Sequence, residues 1–162
     1  MSDQGIGYTS YIESELRAER DRRAAYDVRG QNLVTTSGAL VTLFTGLVAI
    51  VKVGNVSRLP LGVIVTVCVA LVLLTGAASC GIVAGWNRAY KVTAPVTLQR
   101  MLTAHWTDHE VDARNNVATA QVDTIKTLRK ANNFKANWVS AGTVLQVSAL
   151  LTLSASVALM AI

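Results

Sequence analysis

Three long stretches of this chain of 162 residues carry no charge: residues 33–51, 59–87 and 136–162. No other feature restricts the fold as much. A helix crossing the hydrocarbon core of a bilayer needs about 20 apolar residues, each adding about 1.5 Å. The second and third stretches meet that length. The first is the shortest, and the uncharged Gln31 and Asn32 just before it lengthen it. A buried helix of a soluble protein is the plainer account of such a run, but VIVTVCVALVLL has no polar face to turn toward water. Only helices and closed barrels satisfy their own backbone hydrogen bonds in lipid, and the alternation a barrel needs is absent. The expected fold is therefore all-α, an integral membrane protein with three transmembrane helices and cytoplasmic helical extensions.

The charges that remain, 15% of the chain, set the topology. Arg17, Arg20, Arg22, Arg23 and Arg29 precede the first run. Arg88, Lys91, Arg100, Arg114, Lys126, Arg129, Lys130 and Lys135 lie between the second and third, whereas the first loop has only Lys52 and Arg58. Counting basic residues places the N-terminus and the long connection in the cytoplasm and the C-terminus on the far side. Trp86 and Trp138 fall where interfacial aromatic anchors belong. The expected organisation is a cytoplasmic N-terminal helix over 1–32, a first span over 33–53, a short external loop at 54–58 and a second span over 59–87. A cytoplasmic helical segment follows over 88–135, with a long basic helix from about residue 108, and then a third span over 136–162, with no external domain after it. No secretory signal is expected, because the first apolar run begins only after some thirty mixed-charge residues. The net charge of +5 is explained by the topology and needs no nucleic acid. Cys68 and Cys80 are about 18 Å apart along one helix, too far for a mutual disulfide.

In the cytoplasmic segments, Ser10 with Glu13 and Thr107 with Glu110 fit capping boxes. Glu13 with Arg17 and Glu19 with Arg23 have the spacing of helical ion pairs. Tyr8, Ile12 and Leu16 form a short apolar stripe. Val111, Ala118, Val122, Ile125 and Leu128 form a second, whose partner is either the N-terminal helix or another subunit. Arg129, Lys130 and Lys135 are expected near the lipid headgroups.

Few residues suggest chemistry. His105 and His109 are four apart, with Asp108 and Asp112 nearby, and are weak metal-ligand candidates; polar surface explains them more simply. No cofactor is expected. No glycine-rich phosphate loop, no Ser-His-Asp arrangement and no CxxC is present, so an enzyme is not expected. The spans contain no ionisable side chain, which argues against proton relays, voltage sensors and most coupled transporters. They do contain small and hydroxylated residues. Thr35, Gly38, Thr42, Thr45, Gly46 and Ala49 share one face of the first. Gly76, Ala77, Ser79, Gly81, Ala84 and Gly85 cluster in the second, and Ser148, Thr152 and Ser156 repeat every four residues in the third. Close helix packing explains these better than a pore lining. Gln146 is different, because a primary amide in hydrocarbon needs a partner. Thr42, Thr45, Gln146, Ser148 and Thr152 are the candidates for subunit contacts or a lumen, and a homo-oligomer is expected.

The stretch YDVRGQNLVTTSGALVTLFTGL sets Asp27, Arg29 and Gly30 just before the first run. It resembles the D-x-[K/R]-[A/G]-x-x-L pattern that opens the membrane effector family of the Pycsar antiphage systems. DTIKTLRKANNFKANWVSAG resembles the same family, as does the order of cytoplasmic helix, two spans, basic helix and final span. The resemblance covers roughly residues 20–160. It implies a multi-pass protein of the bacterial inner membrane that impairs the membrane on a cytoplasmic nucleotide signal, with Asp27, Arg29 and Gly30 as a coupling motif. The leading expectation is an oligomeric effector of antiviral defence that perturbs or permeabilises the membrane. The alternative is a non-conducting scaffold or accessory subunit whose cytoplasmic helices recruit a partner protein.

Overall fold

A computed structural model of the chain describes residues 3–53 and 61–160. The loop expected at 54–58 lies outside them. Four helices and no strand occur among the described residues: α1 (Ile6–Val53), α2 (Leu61–Gly85), α3 (Pro95–Thr103) and α4 (Glu110–Met160). Two of them, α2 and the stretch Glu110–Ala158 of α4, are long and apolar enough to cross a membrane. The first uncharged run forms the second half of α1.

Helix boundaries follow local chemistry, though not always the chemistry expected. α1 starts at Gly5, whose φ of +82° suits a residue without a Cβ. Thr9 closes this end, both its amide and its hydroxyl donating to the Gly5 carbonyl at 3.0 Å. Ser10 therefore lies inside the helix, and the Ser10–Glu13 capping box does not form. At α4, Glu110 is the first helical residue and Thr107 stands in the preceding turn, so that box is also absent. Glu110 and Asp112 instead place acidic groups against the positive end of the helix dipole. Pro95 occupies the first turn of α3, where its missing N–H costs nothing.

The chain divides into two compact units, and α1 and α4 each contribute to both. The first comprises the residues up to Ala25 with Asn87–Phe134, and the second Tyr26–Trp86 with the residues from Lys135 onward. In the first unit, Leu16, Ile125 and Leu128 form a small core with Ile12 packed against it. The apolar seam of α4 thus meets α1 of the same chain. Tyr8, at the end of the predicted stripe, is left exposed. Glu19 does not pair with Arg23. The Arg23 guanidinium donates to Asn87 Oδ1 at 2.6 Å and lies 4.6 Å from the centre of the Tyr90 ring. Arg88 covers the Phe134 ring at 3.6 Å.

The second unit is built on close backbone approach. A Cβ added to Gly81 would stand 2.6 Å from the Gly30 carbonyl oxygen, and one added to Gly142 would stand 3.0 Å from Cys80 Cβ and Leu33 Cδ1. A Cβ does not fit at Gly81 and would press on its neighbours at Gly142, and small residues let helices in a low-water environment gain dispersion contact. Around them pack Leu33, Ala84 and Val139, and further along Ala70, Leu74, Ala149 and Leu153. Cys80 is buried and Cys68 exposed, both as free thiols.

Candidate functional site

Within the second unit, the predicted coupling motif has three different fates. Asp27 accepts a hydrogen bond from the Lys135 ammonium, forming an ion pair between α1 and α4. The Lys135 side chain is only 2% exposed, against 44% for Asp27. Lys135 is therefore buried between helices of its own chain. An ammonium withdrawn from water is costly unless a partner is held against it, and Asp27 provides that partner. Gly30 is buried where α1 crosses α2, with Gly81 opposite. Arg29 is exposed. Asp27, Gln31 and Thr35 line an open cleft of about 570 Å³ with Gly81, Ile82 and Gly85.

The hydroxylated residues separate by face. α1 packs through Gly30, Leu33 and Ser37, all buried, and through Leu40, Val41 and Phe44. The face bearing Thr35, Gly38, Thr42, Thr45, Gly46 and Ala49 is exposed. Within the chain these small residues pack against no other helix at Gly38 and Gly46, which have nothing within 4 Å of an added Cβ. The threonine hydroxyls are satisfied on their own helix. Thr35 donates to Gln31 O at 3.0 Å, Thr42 to Gly38 O at 3.0 Å and Thr45 to Val41 O at 2.8 Å. In α4, Thr152 donates to Ser148 O at 2.6 Å. Gln146 finds a partner in its own chain, its Nε2 donating to Thr36 Oγ1 at 2.8 Å. The hydroxyls of Ser37 and Ser156 are buried without a hydrogen-bond partner among the described residues.

The first unit holds a polar centre that sequence reasoning missed. Glu19 is 4% exposed. One of its carboxylate oxygens accepts from Arg129 Nε at 2.7 Å, and the other accepts from Asn132 Nδ2 at 2.9 Å. The same Asn132 amide donates to the Glu19 backbone carbonyl at 2.8 Å. Arg129 also reaches Glu15 at 2.9 Å, and Arg22 lies 3.6 Å from Glu19. Burial pushes the Glu19 carboxyl up. The hydrogen bonds from Arg129 and Asn132 and the charges of Arg129 and Arg22 outweigh it and hold the group below its ordinary range. The hydrogen bond and charge of Glu19 in turn raise Arg129. The sequence signal was the unusual Asn132 inside a helical seam, but α1 and α4 bring Glu19 to it from more than a hundred residues away.

His105 Nδ1 lies 2.9 Å from Asp108 Oδ2, and His109 is exposed. Among the described residues no group of three or more His, Cys, Asp or Glu side chains is placed to hold a metal ion. No family model, curated protein or solved structure matches the chain.

Proposed function

We propose that the chain is a homo-oligomeric, multi-pass protein of the bacterial inner membrane that perturbs or permeabilises the bilayer as an antiphage defence effector. In this reading the second half of α1 is the first of three spans, the N-terminus is cytoplasmic and the C-terminus faces outward. The observation that carries it is the exposed face of α1. Gly38, Thr42 and Gly46 repeat every four residues in an uncharged run and are exposed, and a Cβ added to either glycine would meet no other helix. Small residues at that spacing are what membrane helices use to bring backbones together, and the free face fits the same helix of a second copy. Asp27 and Lys135 tie the first span to the third, where a cytoplasmic nucleotide signal or a partner protein would act.

Induced expression in a bacterium carrying a membrane-potential dye tests the reading, with and without phage infection. Depolarisation is expected, and Gly38→Ile with Gly46→Ile is expected to abolish it by blocking close approach without disturbing the monomer. Unchanged potential under every infection tried would overturn permeabilisation. It would favour the scaffold reading, for which the exposed Tyr8 and Tyr11 on α1 supply a recruiting surface.

A further inference from the structure

The connection between α2 and α4 has an unusual composition. From Trp86 to Thr107 it holds Arg88, Lys91 and Arg100 and no aspartate or glutamate, with Trp86, Tyr90 and Trp106 among them; its one acid, Asp108, follows and is paired with His105 at 2.9 Å. The structure leaves much of its apolar surface uncovered. Val92, Val96, Leu102 and Trp106 are each at least 60% exposed. α3 turns Leu98 and Met101 toward a cleft shared with Leu16, and Arg100 and Trp106 border a second with Ala113 and Val117, while Val96 and Leu102 line neither and stand exposed. Basic, acid-free, aromatic-flanked segments with uncovered aliphatic residues have the chemistry of the bilayer interface. Indole rings settle at headgroup depth, aliphatic side chains enter the acyl boundary, and Lys and Arg meet phosphate.

Covalent connection selects among acidic surfaces. α2 ends at Gly85 and α3 begins at Pro95, so a tether of residues 86–94 can reach at most about 30 Å. With α2 across the membrane, docking of α3 on the adjoining leaflet is intramolecular, and a weak interfacial preference is enough to hold it there. The cytoplasmic leaflet is the anionic one. A soluble acidic protein would have to compete with a surface that is always within reach.

We propose that residues 86–106, with α3 at their centre, lie in the headgroup layer of an anionic membrane, with Val96, Leu102 and Trp106 at the acyl boundary and Lys91 and Arg100 against lipid phosphates. The proposal rests on the membrane placement of α2 and is independent of permeabilisation. The full chain carrying Trp86→Phe and Trp138→Phe keeps Trp106 as its single indole and can be reconstituted in nanodiscs of phosphatidylglycerol or phosphatidylcholine. Acrylamide quenching of Trp106 is expected to be about threefold weaker in phosphatidylglycerol. Lipids brominated near the headgroup are expected to quench it there. Both effects are expected to disappear in Lys91→Gln with Arg100→Gln, and near 1 M salt, where the screening length falls to about 3 Å. Equal acrylamide quenching in the two lipids overturns the proposal. So does protection from acrylamide without quenching by brominated lipid, which would mean that protein covers the segment. A chain that does not enter nanodiscs at all removes the membrane placement itself, a failure distinct from either of these.

Discussion

The two compact units share α1 and α4, yet different forces hold them. In the first unit the helices meet through a small apolar core beside a buried carboxylate hydrogen-bonded by the Arg129 and Asn132 side chains. In the second they meet through glycines at backbone distance and two apolar clusters, with one buried lysine paired to Asp27. The difference follows from the surroundings each composition suits. In water, apolar burial supplies the main drive to pack helices, and a buried polar network can fix which residues meet. Among lipid tails an apolar side chain gains little by leaving its neighbours, so close approach and dispersion must do more. The same pair of helices changes its packing chemistry along its length.

The largest expected effect is in the second unit. Gly81→Leu places a branched side chain where even a Cβ would press on the Gly30 carbonyl. A loss of about 3 kcal/mol or more is expected, since both neighbours are backbone or packed core. Thermal unfolding in detergent should show it as a lower Tm. Hydrogen exchange should show protection lost at residues 26–53 and 61–85 and retained at 110–130. Equal loss in both units would mean that they are not held by different forces.

A smaller effect is expected from Asp27→Ala, which leaves the buried Lys135 ammonium without its partner. The cost is about 1–3 kcal/mol, reduced from that of a fully buried pair because Asp27 is partly exposed. Asp27→Leu combined with Lys135→Met should recover most of it, as measured by the same unfolding midpoint. Failure of the double variant to recover would mean that the pair does more than offset a buried charge.

The smallest effect depends on pH and belongs to the first unit. The native Glu19 carboxyl is held below its ordinary range. Its stabilising contribution is therefore complete above the ordinary carboxylate value of about 4.3 and is lost as pH falls through the lowered native value. Exchange protection around Leu16 and Leu128 is expected to weaken below about pH 4 and to hold between pH 6 and 8. Glu19→Gln should flatten that dependence while leaving the second unit unchanged. A pH response of equal size in the variant would assign the effect to other carboxylates.

What the sequence determined was helical content and the place of its apolar runs. Charge-free stretches are a one-dimensional property, and so is the absence of Pro through the long helices. α1 and α4 extend across the regions where composition changes because nothing local interrupts the helix. Helix caps are less legible in the sequence. Ser10 and Thr107 have the right spacing, but a glycine at positive φ and an acidic first turn set the ends instead. Only the tertiary structure decided which faces meet. It buried Lys135 and Glu19, charges whose burial no local pattern announces, because each has a partner more than a hundred residues away. It exposed the threonine-rich face of α1 and packed the opposite one, because Gly30 and Gly81 permit a crossing closer than threonine side chains would. A sequence lists small residues on both faces. The approach of one backbone to another settles which of them are used.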